Sequence, residues 1–200
     1  WVGGGRASVT VELNGPSVTG GIDAQALRDD RSNRRSIGGI ATDTVLLDQR
    51  ERVSEGAVFA QLAWPVGDRV TLRAGVRRDN NRFGVTDHLL SDGDASGART
   101  MAATSGNGGV SLRLTRLLTA WTDVATVFET PTTTELANRP DGSGGFNPDL
   151  NPQRSFSAEA GVRGGAGRLR FDLAAYSTHT QDAIVPFNEV GGRTFFRNAG

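Results

Sequence analysis

Residues 8–19 are SVTVELNGPSVT, in which valine and leucine alternate with polar residues on both sides of the pair Asn14-Gly15. A strict period of two places the apolar side chains on one face of a β-strand. Asn-Gly between two such runs is a strong signal for a tight hairpin turn, because both residues tolerate positive φ. The stretch therefore predicts two antiparallel strands with one apolar and one polar face.

The same alternation returns along the rest of the chain. It is clearest in residues 70–77, 110–114, 156–163 and 169–175. No segment shows the 3.6-residue period of a convincing amphipathic helix. We predict about eight strands and the start of a ninth near residues 194–197, in a fold that is essentially all antiparallel β.

The composition narrows the classes of protein to be considered. The 200 residues carry a formal net charge of +0 and contain no cysteine. A neutral chain gives no basis for a nucleic-acid partner, and the lack of cysteine excludes a disulfide framework or a thiolate zinc site. No apolar stretch approaches the ~20 residues of a transmembrane helix. The negative mean hydropathy does not exclude a membrane β-barrel, because lumen-facing polar residues dilute the apolar signal.

The predicted connections alternate in length. The short ones lie at residues 14–15, 66–68, 116–118 and 164–167, and the long ones at 28–52, 83–104, 129–154 and 181–192. Outer-membrane barrels have short periplasmic turns and long extracellular loops. Trp64 and Trp121 lie beside short turns, where an aromatic girdle would meet the inner membrane interface. This pattern favours a segment of a transmembrane barrel over a soluble β-sandwich.

The polar faces of the predicted strands carry charges that a sandwich core cannot hold. The clearest are Arg73, Arg113, Glu159, Arg170 and Asp172. Burial of unpaired charges is costly, whereas a water-filled lumen accepts them. These residues are therefore expected to face the inside of a barrel.

The longest predicted loop is rich in proline and glycine. It contains Pro131, Pro140, Pro148 and Pro152, and each proline also restricts the residue before it. Neither a helix nor a strand ladder is expected to run through such positions. Since a loop far beyond the usual ~4–6 residues is more often functional than incidental, this loop is a candidate binding element.

Two groups of motifs carry a family resemblance. The first is the run from Glu51 through Trp64 and on to Asp79. The second combines FETP at 128–131, NPDLNP at 147–152, EAGVR at 159–163 and RTFFRNAG at 193–200. Together they resemble the barrel of TonB-dependent outer-membrane receptors over about residues 45–200. Residues 1–40 fit that family only by their strand pattern.

The resemblance implies a function and a place in a larger protein. Receptors of this family enclose an N-terminal plug in a barrel of about 22 strands. Energy relayed through TonB drives import of a scarce nutrient, most often a ferric siderophore. No plug, TonB box or terminal strand ending in an aromatic residue is evident here, so residues 1–200 are expected to be an internal barrel fragment of about 8–9 strands.

Three alternatives remain open at this stage. The chain could close into a small eight-stranded barrel, which can fill its own interior. It could also be a passive porin-like barrel in the outer membrane. The contrasting class is a soluble β-sandwich or adhesin-type module that binds a ligand through loops at one end. A barrel requires lipid around its apolar face, and a soluble module does not.

Four residues are candidates for ligand binding in the lumen or the outer loops. Arg77 and Arg82 lead toward a long loop, and arginines near an outer mouth would attract an anionic iron chelate. Glu135 and Arg139 lie in the proline-rich loop. They either gate the mouth or hold the loop by a salt bridge.

A second basic cluster lies at the outer end of a predicted strand. It consists of Arg28, Arg31, Arg34 and Arg35. Guanidinium groups bind phosphate and carboxylate in a bidentate manner, so the cluster is a candidate contact for lipopolysaccharide phosphates or for an anionic chelate. The alternative is a solvated loop whose charge is balanced by nearby aspartates.

The sequence shows no convincing catalytic, metal or cofactor site. His88 and His179 are the only histidines and lie on separate predicted loops. Asp92 opens a stretch like a calcium loop, but Ala103 occupies the twelfth position, where a bidentate glutamate is required. We therefore expect no enzyme activity, no metal site and no cofactor.

Overall fold

In the computed structural model, eight strands pair in chain order to form one antiparallel sheet. The structure describes residues 1–137, 146–190 and 193–200. The sheet comprises β1 (Val2–Glu12), β2 (Ser17–Ile37), β3 (Ile40–Val66), β4 (Val70–Asp87), β5 (Gly97–Arg113), β6 (Leu118–Glu129), β7 (Gln153–Ala166) and β8 (Leu169–Gln181). The prediction of an antiparallel β fold is confirmed.

The remaining elements lie at one end of the sheet. They are a short 3-10 helix (Leu90–Asp92), helix α1 (Thr133–Ala137) and the strands β9 (Ala183–Val190) and β10 (Arg193–Ala199). In the described part of the chain, β9 and β10 pair with each other and not with the sheet. None of the described helices is long and apolar enough to cross a membrane.

The strand register divides the sheet into two faces. One row across β1 to β5 consists of Arg6, Asp23, Ala57, Asp79 and Ala103, and we call the face of this row the inner face. The charged residues expected to point inward all lie on it: Arg73, Arg113, Glu159, Arg170 and Asp172. That expectation is confirmed.

The opposite face, which we call the outer face, is apolar over much of its height. Side chains such as Ile22 (57% exposed) and Leu173 (69% exposed) have no protein cover. Isolated exposed apolar residues are ordinary, but a continuous apolar face on a sheet of this size requires a non-aqueous neighbour. Trp64 lies on this face beside a short turn, as expected.

Trp121 departs from the expectation of an interfacial girdle. It pairs with Gly161 and shares the inner face with Asp123 and Glu159. A Cβ atom added at Gly161 would lie 2.7 Å from the indole ring, so the glycine makes room for the tryptophan. The prediction for Trp121 was wrong because proximity to a turn does not decide the face, which depends on odd or even position along the strand.

The two ends of the sheet differ, but less simply than predicted. Short turns at residues 13–16, 67–69, 114–117 and 167–168 are confirmed. The predicted long loop at 28–52 is wrong, because β2 and β3 continue to a tight turn at Gly38 and Gly39, whose φ values are +59° and +82°. Period-two alternation is visible only where one face is apolar. On β2, polar and charged residues occupy both faces from Arg28 to Ser36, so the strand could not be recognised there.

The predicted ninth strand exists as β10, but it does not extend the sheet. The segment 181–192, predicted to be a loop, contains β9, which pairs with β10 as a separate hairpin. Phe195 is buried, and Phe196 packs against the apolar cluster that contains Phe83 and Met101 of the sheet. Burial of these aromatic side chains at the end of the inner face accounts for the placement of β10.

The first and last strands of the sheet, β1 and β8, form its two edges. They do not pair with each other in the part of the chain that the structure describes. The sheet is therefore open, and the alternative of a closed eight-stranded barrel is not formed.

Candidate functional site: the inner face and the loop that covers it

We call the connection between β6 and β7, residues 130–152, the β6–β7 loop. Its described parts, residues 130–137 and 146–152, lie over the inner face. Leu136 and Leu150 of the loop are 0% and 1% exposed and pack with Phe83 and Met101 of the sheet. Partly buried apolar residues surround this cluster: Val53, Phe146, Ile184 and Phe196. One apolar cluster therefore joins the loop, the sheet and the β9–β10 hairpin.

Helix α1 of this loop begins with a capping box. The backbone N–H of Glu135 donates to Thr132 Oγ1 at 3.3 Å, and the Glu135 carboxylate accepts from the Thr132 backbone N–H at 2.7 Å. Such reciprocal bonds satisfy donors that a helix start leaves unpaired. Glu135 is thus used to build the loop. The spacing Thr132-x-x-Glu135 is the sequence signal that identifies this motif.

Glu51, which the sequence did not single out, fastens α1 to the sheet. Glu51 is 3% exposed. Its carboxylate accepts hydrogen bonds from Thr133 Oγ1 at 2.6 Å and from Gln49 Nε2 at 2.7 Å. Arg31 also links the sheet to α1. Its Nη1 lies 3.4 Å from Glu51 Oε1 and 3.2 Å from Thr134 Oγ1. Glu51 was missed because residues 28–52 were expected to form a loop.

Arg99 of β5 holds the second half of the loop. Its Nη1 donates to the backbone oxygen of Asn147 at 2.5 Å, and its Nη2 donates to Asn151 Oδ1 at 3.2 Å. Asn151 in turn exchanges two hydrogen bonds with the side chain of Asn198 on β10, at 2.7 and 2.8 Å. The asparagines before prolines therefore join the loop to the hairpin.

Beyond the loop, the inner face carries a charge-balanced group of four residues. Arg6 Nε lies 2.5 Å from Asp23, Arg77 contacts Asp23, and Arg77 Nε donates to Asp79 at 2.8 Å. We call Arg6, Asp23, Arg77 and Asp79 the inner quartet. Arg77 faces inward as expected, but two carboxylates already contact its guanidinium group.

Arg82 lies on the outer face, opposite to Arg77. The two are five residues apart, and an odd separation along a strand reverses the face. Arg82, a candidate for the lumen or the outer loops, therefore does not face the barrel interior. Arg139, the remaining candidate for ligand binding, lies outside the described residues.

The predicted basic cluster does not stay together. Arg28 lies on the outer face and Arg31 on the inner face, where it meets Glu51. Arg34 and Arg35 lie near the tip of the β2–β3 hairpin. On the outer face, Arg50 Nε is 2.5 Å from Asp30, and this hydrogen bond lowers the pKa of the Asp30 carboxyl.

The calcium-like stretch forms an ordinary turn. Asp94 Oδ1 accepts from the backbone N–H of Ser96 at 2.9 Å, an Asx-type bond that organises the β4–β5 connection. Among the residues that the structure describes, no His, Cys, Asp and Glu side chains gather into a group that could hold a metal ion.

The capping box yields a prediction for Thr132→Ala. Loss of the hydroxyl is expected to cost about 1 kcal/mol of the free energy that holds α1 together. The loss of stability is expected to appear as faster amide hydrogen exchange of residues 131–137 in the intact protein. Thr130→Ala is the control, because Thr130 has no side-chain hydrogen bond among the described residues. Equal effects of both variants would contradict the capping role.

Comparison with known proteins shows which family has this sheet and loop arrangement. The family model described as "TonB dependent receptor-like, beta-barrel" matches residues 2–200. The chain belongs to the TonB-dependent receptor β-barrel family. The match includes the first forty residues, which sequence motifs alone had left uncertain.

Solved structures of similar fold include three transport proteins. The copper transporter OprC has a TM-score of 0.78 at 21% identity over 98% of this chain and 32% of its own. The ferric yersiniabactin uptake receptor FyuA from Yersinia pestis has a TM-score of 0.69 at 18% identity, over 92% of this chain and 29% of its own. The ferric-catecholate import receptor Fiu from K12 E. coli has a TM-score of 0.68 at 14% identity, over 96% of this chain and 32% of its own. The chain spans about a third of the length of these structures.

Family membership places the sheet in its surroundings. TonB-dependent receptors are bacterial outer-membrane transport proteins rather than enzymes. The apolar outer face therefore lies against lipid, and the polar inner face lines the barrel interior. The short turns lie on the periplasmic side, and the β6–β7 loop and the β9–β10 hairpin lie on the extracellular side. A soluble sandwich is thereby excluded.

Proposed function

We propose that the chain is part of the barrel wall of a receptor that imports a scarce nutrient, most favourably a ferric siderophore, with energy relayed through TonB. In this proposal, residues 1–200 are one segment of a larger barrel, and the plug and the remaining strands lie outside it. The transport class follows from the family, and the choice of cargo is the part that requires support from this chain.

The observation that carries the proposal is the β6–β7 loop docked on the inner face. Its apolar cluster, the Glu51 contacts and the Arg99 contacts hold the loop at the extracellular end of the wall. A passive pore needs an unobstructed route, whereas a receptor needs surface at its mouth on which to recognise cargo. An ordered loop at this position supports the second role.

Arg77 is the proposed cargo residue on the wall itself. Its guanidinium group attracts an anionic chelate, but it already contacts Asp23 and Asp79. An incoming anion therefore exchanges with these carboxylates, which keeps binding reversible, as transport requires. Glu135 contributes by shaping α1, and Arg139 is proposed to act from the adjoining part of the loop.

Cargo binding to the intact receptor tests this proposal. Ferric complexes of catecholate, hydroxamate and carboxylate siderophores are titrated while the intrinsic tryptophan fluorescence is followed. We expect one class to bind, and Arg77→Gln to weaken that binding about tenfold, because a charge-assisted hydrogen bond contributes about 1.5–3 kcal/mol. Arg116→Gln, in the periplasmic turn at 114–117, is the matched control.

Two outcomes would contradict the proposal at different points. Failure of all three chelate classes to bind would remove the siderophore as cargo. Binding that is equally strong in the Arg77→Gln and Arg116→Gln variants would remove Arg77 from the recognition surface while leaving the cargo in place.

A further inference from the structure

We infer that the tip of the β2–β3 hairpin is a cleavage site for an endopeptidase that acts at the cell surface and recognises arginine. The site consists of Arg34 and Arg35, two members of the basic cluster that the sequence predicted. The inference requires only that this end of the sheet is extracellular. It does not depend on the identity of the cargo.

The strand ladder is interrupted at these two arginines. Arg34 pairs with Val45, and pairing on β2 resumes only at Ser36. Arg35 therefore has no partner in the ladder, and residues 42–44 of β3 bulge out opposite it. Bulges of this kind remove ladder hydrogen bonds and weaken a strand pair locally.

Only the end of the hairpin lies beyond the interruption. Two residue pairs remain there, between residues 36–37 and 40–41, before the tight turn at Gly38 and Gly39. Even a complete two-stranded hairpin is only marginally stable by itself in water. Two pairs are therefore expected to open at a low cost in free energy, and exposed tips that open easily are preferred sites of proteolysis.

The neighbouring strand β4 ends before it reaches this tip. Its last pair with β3 joins Asp87 to Gln49, and the backbone N–H of His88 then donates to the backbone oxygen of Asp48 at 2.8 Å. In the part of the chain that the structure describes, β4 makes no pair with β3 beyond that point. The interrupted segment therefore receives no support from β4.

One side-chain hydrogen bond restrains Arg35. Thr42 Oγ1 donates to the backbone oxygen of Arg35 at 3.0 Å, across the interruption. Both Arg34 and Arg35 are exposed, and neither guanidinium group forms an ion pair with another described residue. Both side chains can therefore enter the binding pocket of an enzyme without loss of an internal contact.

The site lies well outside the membrane. Lower on the two strands, Arg31 and Glu51 contact helix α1 of the β6–β7 loop, which places this end of the hairpin on the extracellular side. The apolar part of the outer face ends at Ala26 on β2, eight residues before Arg34. At about 3.3 Å per residue, Arg34 lies about 26 Å beyond Ala26. A soluble enzyme can therefore reach the site without contact with lipid.

The two arginines select the class of enzyme. Endopeptidases of the trypsin class hold a basic side chain in a pocket that contains a carboxylate. Cleavage adds water across the peptide bond after Arg34 or Arg35, which leaves a new carboxylate on one fragment and a new amino group on the other. The cut protein is expected to stay assembled, because the ladder from Asn33 and Leu47 to the periplasmic turn is retained.

Digestion of the intact receptor on whole cells tests the site, with added trypsin as the probe. Mass spectrometry of the fragments identifies the first bond that is cut. We expect that bond to follow Arg34 or Arg35, and the double variant Arg34→Gln/Arg35→Gln to slow the first cut at least about tenfold. Arg28→Gln is the matched control and should not change the rate, because Arg28 lies on the same strand in an unbroken part of the ladder.

A second variant tests whether the interruption controls cleavage. Thr42→Val removes the hydrogen bond to Arg35, so the tip should open more often and the first cut should become about fivefold faster. Thr44→Val is the matched control, because the Thr44 side chain makes no hydrogen bond with a described residue. Its rate should equal that of the unmodified receptor.

Three results would overturn the inference. A first cut elsewhere, for example after Arg139, would show that the tip is not the preferred site. A double variant that is cut as fast as the unmodified receptor would show the same. Equal rates for Thr42→Val and Thr44→Val would show that the break in the ladder does not govern cleavage.

Discussion

The Leu136→Ala variant is expected to lose about 2–5 kcal/mol of the free energy that holds the β6–β7 loop against the inner face. Leu136 is 0% exposed and belongs to the cluster that includes Phe83, Met101 and Leu150. Truncation removes apolar contacts and leaves a cavity between loop and wall. The barrel strands keep their own hydrogen bonds, so the loss is expected to be confined to the loop.

Hydrogen exchange of the intact receptor measures this effect. A loss of 2 kcal/mol or more should raise the exchange rate of residues 131–137 by at least about 30-fold, because that rate follows the free energy of local opening. The control is Leu117→Ala, since Leu117 is 59% exposed in a periplasmic turn. Unchanged protection of the loop in Leu136→Ala would show that the apolar cluster does not hold it.

The Glu51→Ala variant is expected to release α1 from the sheet through the loss of hydrogen bonds. Removal of the carboxylate leaves Thr133 Oγ1 and the buried amide of Gln49 without their acceptor. Unsatisfied buried donors cost about 1–3 kcal/mol each, and we expect a total of about 2–3 kcal/mol because Thr133 is partly exposed. Glu51→Gln keeps one acceptor oxygen and should have a smaller effect.

A double-mutant cycle separates the contact from general destabilisation. Glu51 and Thr133 are in direct contact, so their coupling energy should exceed about 0.5 kcal/mol. Glu55→Ala is the matched control, because Glu55 is an exposed residue four positions along the same strand and on the same face. Strictly additive effects of Glu51→Ala and Thr133→Ala would contradict the proposed fastening of α1.

The fold could be predicted where the sheet contacts lipid. Between the periplasmic turns and the headgroup level, one face is apolar and the other polar, and the period of two is plain in stretches such as residues 70–77. Above that level both faces meet water, and the alternation disappears. The extension of β2 and β3 to Gly38 and Gly39 was missed for this reason.

The candidate site was predicted less completely than the fold. The presence of a long proline-rich loop, the inward position of Arg77 and the family could all be predicted from the sequence. An error arose where odd or even position along the strand decides the face, as for Trp121. Contacts between distant segments, such as Glu51 with Thr133, have no local signal, because they arise only when the loop folds back onto the wall.

Energised uptake tests the central proposal most directly. Cells that make the intact receptor are supplied with a ferric siderophore carrying radioactive iron, in the presence and absence of a functional TonB complex. We predict that iron accumulates only when both the receptor and TonB are present. Accumulation that continues without TonB would indicate a passive pore, and failure to accumulate any ferric chelate would contradict the proposed cargo.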